Sequence, residues 1–203
     1  MEKTFRKAIV NYIEAEARPR EKFSHQPRLY ELAMQVGKGQ VFDDDVLFAA
    51  VWLHDLGVFV GHRPEDPVEL AHWDNTAYAV RRAPALLEGF GFPSAKIPAV
   101  VEAIRTHQPA FEPITIEGLI LRDADILEQL GAVGVLRTVC KVGRDTRFGT
   151  FDDALISLRK ALATLPAQIR LETTRRLAQP KIAALLSFLE AAEAECAIPA
   201  QTD

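Results

Sequence analysis

The feature that most constrains the fold is an unbroken apolar run, VLFAAVWL at 46–53, followed directly by His54 and Asp55. Three aspartates precede the run, as is typical of a helix N-terminus, and Gly57 marks its end. A helix that is apolar on every side has to be surrounded by other elements. The sequence therefore predicts a central helix whose last turn carries two polar side chains.

Helical spacing of apolar residues also dominates the rest of the chain, and alternation of polar and apolar residues over strand length does not occur. Further helices are predicted over about 5–18, 22–36, 68–88, 94–107 and 115–131. A shorter helix follows and ends at about 142, and helix resumes from 151 onward with breaks near Pro166 and Pro180. Gly- and Pro-rich segments separate them. We predict an all-α fold of one domain over 1–203, with about seven to nine helices.

Charge and composition exclude several classes of protein. The formal net charge of the 203 residues is −4, which argues against a broad nucleic-acid-binding surface but allows a small anionic substrate in a local pocket. No stretch approaches the roughly 18 apolar residues of a membrane helix, and charges run through the first twenty residues. Cys140 and Cys196 form no pair with metal-ligand spacing. We expect a cytoplasmic protein without membrane contact.

Side chains able to bind metal recur at helix ends and on apolar helix faces. They are His25, His54, Asp55, His72, His107 and Asp123. Imidazole with carboxylate suits Mn, Fe, Co, Ni or Zn, and suits Mg or Ca less well. A structural interpretation stays open at each position, such as a hydrogen-bonded core histidine or, for His107, a helix C-terminal cap. The residues by themselves indicate a buried metal site.

The order His25, His54-Asp55, Asp123 resembles the H…HD…D pattern of the HD-domain superfamily. The segments HRP, HWDNTA, AIRTHQP and DADILEQLGAVGVLR are similar to those of a compact bacterial subgroup of predicted HD phosphohydrolases. The likeness covers nearly the whole chain. It implies an all-α metal-binding fold, with an HD core over about 20–130 and C-terminal helices over about 131–195.

The resemblance also implies a ligand set. Carried over by position, the ligands of a first metal ion are His25, His54, Asp55 and Asp123. His72 and His107 match the additional histidines of members that hold two ions, in which the aspartate at the position of Asp55 bridges both. The cofactor expected is therefore one or two divalent transition metal ions.

The first functional interpretation is a metal-dependent phosphohydrolase that acts on a small phosphate mono- or diester, such as a nucleotide, through metal-activated water. Arg63, Lys22 and Arg28 are candidate contacts to the phosphoryl group, although solvated surface charge is an alternative for each. Asp55 and Asp125 are the candidate catalytic residues. Asp125 is suited to accepting a proton or to orienting a ligand histidine.

Two other interpretations stay open. The ligand order is also that of the HD-domain oxygenases, such as inositol oxygenase, which would make the protein a di-iron enzyme. A non-catalytic small-molecule sensor with a structural metal is the third. The loops at 58–70 and 108–114 carry no motif that identifies a substrate, and we expect His62 in the first loop to be exposed. The sequence does not indicate an oligomeric state.

Overall fold

Helices make up the regular secondary structure of the described chain. The computed structural model describes residues 4–108, 111–145 and 147–196, apart from the side chains of Glu21, Lys22 and Cys196. The α-helices are α1 (Thr4–Glu16), α2 (His25–Val36), α3 (Asp44–Leu53), α4 (Pro67–Ala71), α5 (Asn75–Gly89), α6 (Ile97–Thr106), α7 (Ile116–Gln129), α8 (Gly131–Val139), α9 (Phe151–Thr164) and α10 (Glu172–Cys196). Short 3-10 helices span Arg20–Ser24, Leu56–Val58, Ser94–Lys96 and Pro166–Gln168. The predicted all-α class is confirmed.

The ten α-helices in the described residues are one more than the upper end of the predicted range. The stretch predicted as one helix from 68 to 88 forms two, because α4 ends at Ala71 and α5 begins at Asn75. Between them the Asp74 carboxylate accepts a hydrogen bond from the Ala77 amide at 2.8 Å. An aspartate that satisfies a free first-turn amide starts a new helix.

The predicted break near Pro180 is wrong, because Pro180 lies inside α10. Proline removes one backbone hydrogen bond from a helix and crowds the preceding turn. Packing offsets this cost, since Ala178 and Leu185 are buried and α10 contacts both α8 and α9. Although α10 has 25 residues, neither it nor any other helix of the described ranges is long and apolar enough to cross a membrane.

The chain divides into two compact units, Met1–Ala124 and Asp125–Asp203. In the first unit α3 packs against α1, α2 and α6, while α5 packs against α6 and the 3-10 helix Leu56–Val58. In the second unit α8, α9 and α10 pack against one another. The division lies close to the expected border near 130, and a single domain over 1–203 stays a prediction.

Helix α3 is central to the first unit, as its apolar sequence predicts. Every residue from 46 to 53 is buried, and the most accessible of them, Phe48, is 6% exposed. The Asp43 carboxylate accepts hydrogen bonds from the amides of Asp45 and Val46 and begins the helix. The C-terminal end of α3 therefore lies in the core.

A network of charged side chains holds the N-terminus of α3. Arg6 Nη2 donates to Asp44 Oδ2 and to Asp45 Oδ1, each at 2.7 Å. Lys96 Nζ lies 2.7 Å from Asp43 Oδ2 and 3.1 Å from Asp45 Oδ2. Burial favours a higher pKa for the Asp43 carboxyl, but the Lys96 hydrogen bond and the α3 amides keep it below its usual value. The aspartates before the apolar run thus act as caps and ion-pair partners.

The first residue of α5 lies against the backbone just after His54 and Asp55. A Cβ atom placed on Gly57 would lie 2.5 Å from the Asn75 carbonyl oxygen and 2.7 Å from its Cα. The Trp73 indole Nε1 also donates to the Gly57 carbonyl at 2.8 Å. Gly57 is therefore required by close approach of backbone to backbone.

We expect Gly57→Ala to lower the free energy of unfolding by about 1–3 kcal/mol, because the added methyl group forces α5 away from the turn that follows α3. Gly89→Ala is the matched control, since a Cβ there meets no atom within 4 Å, and alanine favours a helix over glycine. Urea unfolding of both variants measures the difference. Equal stabilities would show that α5 does not depend on contact with Gly57.

Candidate metal centre

His54 lies at the buried C-terminal end of α3 and offers one nitrogen for binding. Its side chain is 1% exposed, and its Nδ1 lies 2.8 Å from the Val51 carbonyl oxygen. A carbonyl can only accept, so Nδ1 carries the proton and Nε2 carries the lone pair. Nε2 is buried and has no hydrogen-bond partner among the described residues. A buried lone pair in this state is suited to a cation.

His107 repeats this arrangement at the end of α6. Its Nδ1 lies 2.6 Å from the Ile104 carbonyl oxygen, and the residue is 4% exposed. The same argument leaves Nε2 as its basic nitrogen. The ring centroids of His54 and His107 are 5.1 Å apart, with the planes at 77°. Two helix ends therefore deliver two imidazoles of the same tautomer to one place.

His25 and Asp55 complete the surroundings of His54. His25 is the first residue of α2, is 6% exposed, and has its ring centroid 5.5 Å from that of His54. Asp55 Oδ2 lies 3.7 Å from His25 Nε2, and Asp55 Oδ1 lies 3.6 Å from His54 Nε2. Ligand atoms bound to one ion at about 2.0–2.2 Å are themselves roughly 3–3.5 Å apart. These separations are slightly larger and leave room for an ion.

The aspartate that joins the two histidines is Asp125. One ligand atom each from His25, His54 and Asp125 lies within 4.8 Å of the others. Asp125 lies within helix α7, directly after Ala124. Asp123 is fully buried, as its apolar face predicts, but residues two apart on a helix point about 200° away from each other. Asp125 is thus the aspartate in this group of possible ligands, and the ligand role of Asp123 stays a prediction.

His72 is not brought to this group. It is exposed and caps the C-terminus of α4, a helix that contributes no buried residue. Arg63 is half-buried in the turn after α3, and its amide donates to the Phe59 carbonyl at 3.1 Å. Arg28 Nη1 donates to the Ser24 carbonyl at 2.9 Å. The Lys22 side chain lies outside the described residues.

The expectation that His62 is exposed is wrong. Its side chain is 8% exposed, its Nδ1 lies 2.9 Å from the Tyr78 hydroxyl, and its Nε2 lies 2.8 Å from Glu16 Oε2. These partners are 16 and 46 residues away in sequence, and no local pattern indicates them. His62 joins the loop after α3 to α1 and α5.

The donor set fits a divalent transition metal. Two imidazole nitrogens with two carboxylates suit Mn, Fe, Co, Ni or Zn. The backbone hydrogen bonds at Nδ1 are the outer contacts that usually orient metal-binding histidines. The buried Nε2 of His54, which has no hydrogen-bond partner among the described residues, supports this choice of metal.

The HD domain family model matches residues 23–130, which is more than half of the chain, so the chain belongs to the HD domain family. Uncharacterized protein YpgQ of Bacillus subtilis is 25% identical over 177 residues, covering 83% of this chain and 81% of YpgQ. The matched region contains all the candidate ligands named above.

Solved structures agree on the fold. The crystal structure of Bacillus subtilis YpgQ superposes with a TM-score of 0.74 at 21% identity, covering 95% of this chain and 96% of that one. YpgQ in complex with ADP gives 0.71 at 22% identity, covering 96% and 95%. A predicted HD superfamily hydrolase from an uncultured Thermotogales bacterium gives 0.63 at 24% identity, covering 93% and 91%. The chain thus shares the fold of these three structures.

We expect His54→Ala to abolish tight binding of Mn²⁺, because it removes the nitrogen at the centre of the group. His72→Ala is the matched control and should leave the tightest Mn²⁺ site intact, since His72 is exposed and lies outside the group. Isothermal titration calorimetry and elemental analysis measure both. Full metal content in His54→Ala would remove His54 from the ligand set.

Proposed function

We propose that this HD-domain protein is a metal-dependent phosphohydrolase that acts on a small phosphate mono- or diester, such as a nucleotide. The observation that carries the proposal is the pair His54 and His107, each of which uses Nδ1 on a carbonyl of its own helix, with His54 Nε2 lying 3.6 Å from the Asp55 carboxylate. This is the environment in which a protein holds a divalent ion.

The residues proposed to hold the first ion are His25, His54, Asp55 and an aspartate of α7. The position of Asp125 in the ligand group favours Asp125 over Asp123 for that role. A divalent ion bound there supplies Lewis-acid chemistry, which lowers the pKa of water and draws charge from a phosphoryl group. His107 beside His54, with His72, is proposed for a second ion.

Asp55 is the proposed bridge between the two ions. Its two oxygens lie near two histidines proposed for the first ion, Oδ1 3.6 Å from His54 Nε2 and Oδ2 3.7 Å from His25 Nε2, and the bridging role is the one that the family resemblance implies. With both oxygens directed at neighbouring imidazoles, Asp55 would be placed to hold an ion that supplies Lewis-acid chemistry to a phosphoryl group. Asp125 retains the alternative role of proton acceptor if Asp123 proves to be the ligand.

The substrate class is supported by charge and by the relative. The chain carries a net charge of −4, so an anionic substrate requires local cations. The proposed phosphoryl contacts are Arg63, which is half-buried in the turn after α3, and Lys22 and Arg28, which lie three residues before and after His25. YpgQ crystallised with ADP, which supports a small phosphorylated ligand for this family member as well.

We expect the purified protein supplied with Mn²⁺, Co²⁺ or Ni²⁺ to release phosphate or alcohol from a panel of p-nitrophenyl phosphate, its bis-ester and nucleotides. Excess EDTA should reduce the rate to background, and His54→Ala should lower it by roughly 100-fold or more, since even residues behind the ligands contribute 10–100-fold. Gly89→Ala is the control, because a Cβ added there meets no atom within 4 Å. An unchanged rate in His54→Ala, or turnover that requires dioxygen, would contradict the proposal.

The aspartate of α7 is decided by a pair of matched variants. We expect Asp125→Asn to weaken Mn²⁺ binding at least about tenfold, because the amide keeps the shape but loses the charge that binds the ion. Asp123→Asn is the comparison at the neighbouring helical position. Calorimetry measures both affinities, and a larger loss at Asp123 would return the ligand role to that residue.

A further inference from the structure

The N-terminal end of α5 contacts both turns that carry the buried histidines. On one side it lies against Gly57, three residues after His54, with Trp73 Nε1 donating to the Gly57 carbonyl at 2.8 Å. On the other side Gln108 Nε2 donates to the Thr76 hydroxyl at 2.5 Å, and Gln108 directly follows His107. One short segment therefore joins two turns that are more than fifty residues apart in sequence.

On the His107 side the contact includes a partly buried hydrogen bond between two side chains. Thr76 is 6% exposed and Gln108 is half-buried. Because a buried hydroxyl or amide without a partner is costly, each of these side chains fixes the position of the other. The contact on the His54 side is fixed by the lack of space at Gly57. The N-terminal end of α5 is therefore restrained at both contacts more than it would be by contacts on the surface.

From this we infer that the Gln108–Thr76 hydrogen bond is a clasp that sets the spacing between His54 and His107, so that Thr76 and Gln108 are positioning residues for the metal centre. The clasp rests on the proposed function only in needing a metal at these histidines. The two rings already lie 5.1 Å apart, so a shift of one turn changes whether both nitrogens reach one pair of ions. Outer contacts of this kind change metal affinity by roughly 10–100-fold.

The test uses Thr76→Val, which keeps the branched shape and removes the hydroxyl, and Thr76→Ser, which keeps the hydroxyl. Thr106→Val is the matched control, because Thr106 is 2% exposed and directly precedes His107, yet its hydroxyl donates to the Glu102 carbonyl of its own helix at 2.9 Å. Co²⁺ is the probe, since its visible spectrum reports coordination geometry and its titration reports affinity, both without substrate.

We expect Thr76→Val to weaken Co²⁺ binding about tenfold and to alter the visible spectrum, Thr76→Ser to restore both, and Thr106→Val to change neither. Gln108→Met should match Thr76→Val, and the double variant should add little, because both remove the same bond. A lower melting temperature with unchanged Co²⁺ affinity and spectrum would overturn the clasp. So would a wild-type protein that binds no Co²⁺, whereas wild-type protein that binds Co²⁺ without hydrolysing any ester overturns the proposed function alone.

Discussion

The candidate site depends on the hydrogen bond from His54 Nδ1 to the Val51 carbonyl. A free carbonyl at a helix C-terminus needs a donor, and the imidazole supplies it from the same turn. The bond fixes the tautomer of the neutral ring, leaves Nε2 basic, and keeps the Nδ1–H from turning toward another acceptor. His107 uses the same device at the end of α6. At both helix ends an imidazole N–H thus satisfies a backbone carbonyl, and in the neutral ring this leaves Nε2 as the nitrogen able to bind a metal.

Helix α3 can deliver His54 to the interior because its two ends carry different chemistry. At its N-terminus Arg6 and Lys96 neutralise the capping aspartates, and Tyr30 donates to Asp44 at 2.5 Å. Burial, and then this hydrogen bond, raise the pKa of Tyr30 to about 12, so its hydroxyl stays a donor near neutral pH. Carboxylates near the first turn also suit the helix dipole. Ion pairs therefore fix the N-terminus of α3, and burial of its apolar residues places its C-terminus in the core.

Much of this could be predicted from the sequence, and the exceptions share a cause. The apolar run at 46–53 implied a central helix, and the stripe from His25 through Leu29 and Val36 implied that His25 faces inward. Asp123 was predicted to be buried and is. Burial, however, does not identify a ligand. Whether Asp123 or Asp125 faces the histidines depends on the rotation of α7 against its neighbours, and periodicity alone does not determine that rotation. The same holds for His62, whose partners come from distant helices.

The two proposed ion positions differ in how firmly the fold holds their ligands. His25, His54 and His107 are buried residues at the ends of helices that pack into the first unit. His72 is exposed on α4, which buries none of its five residues and is capped by the exposed Asp66. A ligand on a packed element is already ordered, whereas one on an exposed element loses side-chain freedom when it binds. A first ion would therefore meet a preorganised site, whereas a second would draw on one buried histidine and on one whose side chain must still be fixed. Because of this difference in burial, we expect the site at His54 to fill before any site that includes His72.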